Sequence, residues 1–322
     1  MCPAEPESSE AVDPTDDRDP TVSPEAHERF ASTYDEEGWD PPPASGYSGL
    51  SGNVGDDLSD AIVRLYDRAL ATASENDMQR FFIRYSAILP TPFLRHHGVI
   101  NAALISKPHL TARVVSDFAY VTGDSVEARV VFVELKNPTM KWFATDRPRV
   151  VQHLDLVAAL AQIDECRRCL QGREAEWLEW LRTLGANFEA VEFRFVLIGG
   201  RSDDAHRTAE RRAYLRSLAK RDQDTTFMTY DSVRNAFRKT GGGFKNVLVE
   251  SKPGWRCRDM TYPLHDVAPP EYLNLTAEQQ ALMDIVCPGK PRWIGRENHA
   301  KARDIAAAEY WRRVAEEDLR TT

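Results

Sequence analysis

The chain has 322 residues, 42% of them hydrophobic and 28% charged, a balance typical of a globular protein that is long enough to bury a core. No apolar run approaches the roughly 18 residues of a membrane-spanning helix, and the first residues lack the basic start and apolar stretch of a signal peptide. We therefore expect a cytoplasmic protein without a membrane segment. Its five scattered cysteines fit a reducing compartment better than a disulfide framework.

The net charge of −9 is unevenly distributed along the chain. Residues 1–60 contain 16 acids and two bases, a net of −14, so the remainder has 50 − 16 = 34 acids and 41 − 2 = 39 bases, a net of +5. An acidic segment joined to a mildly basic body is compatible with DNA binding, which depends on local positive patches. Many enzymes also carry such patches without contacting nucleic acid.

The composition predicts three parts. Residues 1–57 are rich in Pro, Ser, Asp and Glu and poor in aliphatic side chains, so we expect a disordered acidic tail. Residues 58–240 are predicted to form the main domain, beginning with helices. Residues 241–322 form a C-terminal extension, which is predicted to be helical at its end.

Hydrophobic periodicity predicts the elements of the first half of the domain. One helix is expected from near Leu58 and a second in SENDMQRFFIRYSAIL, where Ser74 and Asp77 resemble a capping pair. Three β-rich runs follow, with a turn at 122–124 between the last two. These strands are expected at 98–106, 112–121 and 127–136.

The second half alternates helices and strands. The pattern predicts a helix from Arg147 to about Leu170, helical residues at 177–184, a buried strand at 191–200, a basic helix at 203–220, a strand at 225–230 and a short helix at 232–238. Two more helices are expected at 276–285 and 299–319. Helices separated by strands indicate an α/β fold, with a mixed sheet covered on both faces.

Charged residues interrupt the apolar strand at 127–136. Because side chains alternate along a strand, Glu134 and Lys136 point to the same face. Asp117 lies near the end of the preceding strand, across a short turn, and can face the same spot. The sequence thus predicts a carboxylate pair with an adjacent ammonium group. The alternative is an ordinary salt bridge at a strand end.

This grouping suits hydrolysis of a phosphodiester. Asp117 and Glu134 can bind Mg²⁺ or Mn²⁺, completed by waters and a backbone carbonyl, which we assign to Leu135. A divalent cation polarises the phosphodiester and acidifies water. Lys136 can orient or deprotonate that water, because lysine pKa values shift readily in such surroundings.

The order Asp, hairpin, Glu-x-Lys on a strand and then a helix resembles the PD-(D/E)XK nuclease superfamily, with Asp117, Glu134 and Lys136 in the motif positions. Over residues 74–237 further segments resemble the Shedu branch, a family of bacterial anti-phage nucleases. These segments are SENDMQRFFIRYSAIL, ISKPHLTARVVSDF, AALAQIDECRRCL, FVLIGGR and TYDSV. The departures are Cys166, where the family often has Tyr, and a longer Asp-to-Glu hairpin.

The resemblance implies a PD-(D/E)XK nuclease-like mixed sheet flanked by helices, and a magnesium-dependent deoxyribonuclease that works as a homo-oligomer, a dimer or a tetramer. It adds Glu75 as a recurrent acid near the metal and Gln162 as a catalytic glutamine that binds a phosphate or the attacking water. Gln162 can also be a buried amide. Arg201 matches the end of a family strand and is a candidate for DNA binding.

Other features have two interpretations each. Arg207, Arg211 and Arg212 form either a solvated helix face or a contact to DNA phosphates. Cys166 and Cys169 lie on a predicted helix without a second pair, which favours packing over zinc binding. The apolar stripe of the last predicted helix is covered either by its own domain or by a neighbouring subunit.

We therefore expect a metal-dependent DNA endonuclease in anti-phage defence. Two alternatives remain: a non-catalytic sensor of DNA ends or phage components on the same fold, and a repair or restriction nuclease. The sequence does not indicate the DNA form, the sequence preference or the activating signal.

Overall fold

The computed structural model describes residues 56–96, 98–145, 149–240, 245–251, 255–259, 273–274, 312 and 315–321. The predicted tail up to residue 55 and the predicted helix at 276–285 lie outside these residues. Of the last predicted helix, residues 312 and 315–319 are described; they are helical, and the helix continues to residue 321. No helix among the described residues is both long and apolar enough to cross a bilayer.

The strands form a mixed sheet. They are β1 (Val99–Ser106), β2 (Phe118–Gly123), β3 (Glu127–Leu135), β4 (Ala190–Ile198), β5 (Thr225–Met228), β6 (Asn246–Glu250), β7 (Trp255–Asp259) and β8 (Leu273–Asn274). Their spatial order is β5-β4-β3-β2-β1-β6-β7-β8. The pairs β1–β2, β2–β3 and β6–β7 are antiparallel, whereas β3–β4, β4–β5, β1–β6 and β7–β8 are parallel. The predicted mixed α/β sheet is confirmed.

The helices pack on both faces of this sheet. They are α1 (Asp56–Thr72), α2 (Glu75–Arg84), α3 (Leu154–Leu170), α4 (Glu174–Thr183), α5 (Ser202–Ala205), α6 (Ala209–Arg221) and α7 (Tyr230–Thr240). A 3₁₀ turn, Ser86–Ile88, follows α2. The predicted capping pair of Ser74 and Asp77 is confirmed as a reciprocal capping box, which satisfies two backbone donors at the start of α2.

On one face, α1, α2 and α7 form a continuous apolar core with β2, β3 and β4. Phe82 of α2 lies edge-on to Phe118, with ring centroids 6.5 Å apart, and stacks on Tyr230 at 6.4 Å. Ala315 is buried in this core, and Asp318 accepts hydrogen bonds from Arg84 of 2.7 and 2.9 Å. The described end of the last helix is therefore covered by its own domain.

On the opposite face, α3 and α4 cover β3 and β4. Phe132 of β3 contacts Trp177 edge-on at 5.3 Å and stacks on Phe195 of β4 at 6.0 Å. Aromatic pairs of this kind contribute about 0.5–1.5 kcal/mol beyond their buried area. This packing fixes the face of β3 that also carries Glu134.

Three element boundaries differ from the predicted ones for local reasons. The strand predicted at 112–121 begins only at Phe118, because residues 107–116 fold into a hairpin of their own. The helix predicted from Arg147 begins at Leu154, where the His153 side chain accepts from the Asp155 N–H. The single helix predicted at 203–220 is two helices, because Thr208 caps the start of α6.

Candidate active site

Asp117 and Glu134 lie opposite each other at one end of the β2–β3 pair. Phe118 pairs with Val133 in this antiparallel ladder, so one further step of the register sets Asp117 opposite Glu134. Directly opposed residues have Cβ atoms roughly 4.5–5.5 Å apart. Both acids are buried, with exposures of 6% and 4%. The structure thus brings the two predicted acids together at one spot.

Two contacts hold the Asp117 carboxylate. Its Oδ2 accepts a 2.7 Å hydrogen bond from the Leu135 N–H, and its Oδ1 lies 2.8 Å from the Lys107 ammonium. Because β2 starts one residue later, the Asp117 side chain takes the place of a strand carbonyl as the acceptor for Leu135. The same bond fixes Leu135, whose carbonyl the sequence analysis assigned to a metal.

The Glu134 carboxylate is hydrogen-bonded on one side only. Oε1 accepts a 3.0 Å bond from Lys136 Nζ and a second bond from Gln162 Nε2 of α3. Oε2 is buried and has no partner among the described residues. A buried carboxylate oxygen without a donor is costly. This oxygen is therefore placed to accept a ligand that the protein itself does not supply.

The electrostatics of the site show a shortage of positive charge. Burial, followed by repulsion from Asp117, raises the pKa of Glu134 to about 8, although Lys136 opposes this shift. Burial lowers the pKa of Lys136, but Glu134, Glu75 and Asp117 together raise it, and the net direction is upward. Lys136 is consequently an ammonium ion at neutral pH, and the carboxyl groups of Glu134, Glu75 and Asp117 lie around it.

Lys136 is positioned by the ends of the neighbouring elements. Its N–H donates to the Ile198 carbonyl of β4, and its own carbonyl accepts a 2.8 Å bond from the Tyr230 hydroxyl of α7. Gly199, the residue after β4, packs directly against Lys136. A Cβ atom at this position would lie 2.9 Å from Lys136 Cβ and 2.7 Å from Met140 Sδ, so a larger residue would displace Lys136 or Met140. No pattern in the sequence predicts these supports, because they join distant segments of the chain.

Glu75 also reaches the site from the start of α2. Its Oε1 lies 4.0 Å from Lys136 Nζ. Burial raises its pKa, and the charge of Lys136 opposes the rise. The structure therefore places the four predicted residues around Glu134 within one cluster: Glu75, Asp117, Lys136 and Gln162.

The cluster contains a residue that sequence analysis missed. Lys107 follows β1 directly, and its ammonium contacts Asp117 across the β1–β2 hairpin. The available signal was its position in ISKPH, since a residue just after β1 must lie near the residue just before β2 when the two strands pair.

Cys166 is a free buried cysteine on α3, as expected for packing, and burial raises the pKa of its thiol.

The four predicted DNA-binding arginines have different surroundings. Arg201 forms a two-pronged ion pair with Asp231, with hydrogen bonds of 2.8–3.2 Å. Arg211 is buried against Asp204 at 2.6 Å. Both guanidinium groups are thus paired with an acid of the same chain, although the Arg201 side chain is 39% exposed. Two others are exposed on the surface: Arg207 and Arg212.

The donor set limits what the site can bind. Among the described residues, no three His, Cys, Asp or Glu side chains group as a ready-made metal cage. The buried carboxylates of Asp117 and Glu134 lie close enough for the charge of Asp117 to raise the pKa of Glu134, and Glu134 Oε2 has no partner among the described residues. Hard oxygen ligands of this kind suit Mg²⁺ or Mn²⁺, which keep several waters and bind through one or two carboxylates.

Comparison with known proteins supplies the remaining observation. Residues 72–233, half of the chain, match the family model of the C-terminal region of the Shedu protein SduA. No curated protein matches the chain. The matched segment spans the whole cluster, from Glu75 to Gln162, and extends to the start of α7. The chain therefore belongs to the Shedu family.

Proposed function

We propose that this chain is a metal-dependent DNA endonuclease, with Asp117, Glu134 and Lys136 at its catalytic centre. Membership of the Shedu family suggests a role in anti-phage defence. The proposal of a nuclease rests on one observation above all: the buried Glu134 Oε2 has no hydrogen-bond partner and lies opposite a second buried carboxylate.

A divalent cation fits this pair of acids. Like charges directly opposed across a ladder are destabilising, and the raised pKa of Glu134 reports that repulsion together with burial. When bound, Mg²⁺ or Mn²⁺ supplies polarisation of the phosphodiester and acidification of water. Asp117, Glu134 and the Leu135 carbonyl are the proposed ligands, and Glu75 is a further acid at the edge of the cluster.

Lys136 is proposed to orient the attacking water. Its acidic neighbours keep it protonated, so it donates hydrogen bonds rather than accepting a proton in the metal-free chain. Gln162 orients Glu134. Its amide and the Lys136 ammonium both donate to Oε1, which leaves Oε2 available to bind a metal ion. We therefore assign Gln162 a positioning role in addition to the phosphate or water contact that the family resemblance implies.

The arrangement also supports a PD-(D/E)XK assignment for the fold. An acid just before β2, Glu-x-Lys at the end of β3 and a glutamine on the following helix α3 stand in the order that the superfamily motif requires. By the same resemblance we propose a cytoplasmic homo-oligomer, a dimer or a tetramer, that binds DNA. Arg207 and Arg212 remain the better candidates for phosphate contacts, because Arg201 and Arg211 are paired internally.

Cleavage of purified DNA tests the proposal. The full chain would be incubated with linear, nicked, circular and single-stranded DNA in the presence of Mg²⁺ or Mn²⁺. We expect cleavage that Asp117→Asn and Lys136→Met abolish. Asp60→Asn and Lys239→Met are matched controls, because they remove the same charges at exposed positions, Asp60 on α1 and Lys239 in the last turn of α7.

Absence of cleavage with every DNA form and either metal would refute the proposed nuclease activity. If Asp117→Asn then also left phage protection intact, the chain would instead be the non-catalytic sensor. Cleavage without any protection against phage would favour a repair or restriction nuclease.

A further inference from the structure

The segment between β1 and β2 forms a basic hairpin beside the acid cluster. The Lys107 N–H donates to the Asp117 carbonyl at 2.9 Å, Ser116 N–H to Pro108 at 3.2 Å, and Leu110 N–H to Val114 at 2.9 Å. Residues 107–116 contain a lysine, an arginine and a histidine but no acid. The hairpin therefore adds positive charge at the site without any internal carboxylate to neutralise it.

Lys107 has an unusual backbone as well as an unusual partner. Its φ is +53°, in the left-handed region that few residues other than glycine adopt. This conformation is unfavourable for a residue with a Cβ atom, and residues held in it cluster at active sites and ligand clamps. Here it directs the ammonium to Asp117 Oδ1, 2.8 Å away.

The two partners of this ion pair differ in their access to solvent. The Lys107 side chain is 48% exposed, whereas that of Asp117 is 8% exposed. An anion arriving from solvent can therefore reach the lysine before it reaches the aspartate. Oδ2 of Asp117 accepts from the Leu135 N–H, and the Lys107 ammonium lies against Oδ1, so a cation bound at this carboxylate would meet a positive charge beside Oδ1.

We propose that Lys107 is an exchangeable counter-ion that couples DNA binding to metal binding. A DNA phosphate draws the ammonium away from Asp117 Oδ1, and the freed oxygen then binds the divalent cation. Without DNA, Lys107 and the cation compete for the same oxygen. This inference rests on the proposed nuclease function and adds a substrate-dependent control of its metal site.

Thermodynamic linkage makes the coupling measurable from either side. If DNA raises the affinity for metal by some factor, metal raises the affinity for DNA by the same factor. A partly exposed salt bridge contributes only modestly, so removing Lys107 should tighten metal binding by roughly two- to fivefold in the absence of DNA.

The test compares Lys107→Met with Arg113→Met in the full chain. Arg113 is an exposed residue of the same hairpin, so its loss removes the same charge without removing a contact to Asp117. Mn²⁺ and Ca²⁺ are each titrated into the free proteins by calorimetry, and Ca²⁺ is titrated again in the presence of a short DNA duplex, so that the effect of DNA on metal affinity is measured with one metal. Lys107→Gly is the second variant, because glycine tolerates the left-handed backbone if methionine disturbs the hairpin.

We expect both Lys107 variants to bind Mn²⁺ more tightly than the wild type and to lose most of the gain in metal affinity that DNA produces. Arg113→Met should keep that gain. The proposed exchange of Lys107 for the cation would be overturned by unchanged or weaker Mn²⁺ binding in both Lys107 variants. It would also be overturned if DNA raised their metal affinity as much as it does in the wild type. A wild type that binds no Mn²⁺ would instead overturn the metal site itself.

Discussion

Removing the charge of Glu134 should stabilise the metal-free protein even though it destroys the proposed site. Glu134 has a pKa raised to about 8, from an ordinary value of 4.5, because it is buried opposite Asp117. Between pH 4.5 and about pH 8 the folded chain therefore holds a proton that the unfolded chain releases. The free energy of unfolding falls as the pH rises through this window. Glu134→Gln imitates the protonated form and avoids that loss.

The magnitude follows from the size of the window. Each pKa unit corresponds to 1.36 kcal/mol, so the 2.5 units between 4.5 and pH 7 set an upper bound near 3 kcal/mol, and we expect a gain of roughly 1–3 kcal/mol. The hydrogen bonds from Lys136 and Gln162 to Oε1 can persist in the glutamine variant. At pH 5 the gain should shrink to a few tenths of a kcal/mol.

Urea unfolding of the wild type and Glu134→Gln in EDTA, at pH 7 and pH 5, measures this effect. Glu192→Gln provides a contrast of opposite sign, because hydrogen bonds from Arg95 and Arg129 outweigh burial and lower the pKa of Glu192. That variant should lose stability at pH 7. The reasoning fails if Glu134→Gln is less stable than the wild type at pH 7, or if its gain does not depend on pH.

Four further predictions concern the backbone, the metal and the assembly. Asp117→Ala should unfold about 1–3 kcal/mol more easily than Asp117→Asn, because it leaves the buried Leu135 N–H without an acceptor; equal urea midpoints would contradict this. Gly200→Ala should cost over 2 kcal/mol and Gly98→Ala about 1 kcal/mol in the same assay. Both glycines have positive φ, but only at Gly200 would a Cβ atom collide, at 2.6 Å from Trp142 Nε1. Mg²⁺ should raise the melting temperature of the wild type and leave that of Asp117→Asn unchanged, and an equal rise in both would contradict the ligand assignment. Light scattering should give a multiple of the 36.4 kDa chain mass, and a single chain at micromolar concentration would refute the oligomer.

Much of the fold follows from local patterns in the sequence. Alternation along β3 places Glu134 and Lys136 on the face opposite the aliphatic residues, because side-chain direction in a strand repeats every two residues. The capping box at Ser74 is equally local, since its two hydrogen bonds join residues three apart. The mixed α/β class could be predicted from the alternation of helical and strand patterns. The approach of Asp117 to Glu134 could be predicted because only a short turn separates β2 from β3.

The tertiary structure alone decided which charged residues serve the site. A helical pattern cannot distinguish a solvated arginine from one that is buried against an acid. The ion pair of Arg211 with Asp204 forms only because α5 and α6 pack together, so it cannot be predicted from either helix alone. Lys107 depends on the left-handed turn after β1, which composition does not specify. Likewise, the support of Lys136 by Tyr230 joins residues 94 positions apart. Such contacts depend on how the chain folds back on itself, and no periodicity within a single element encodes them.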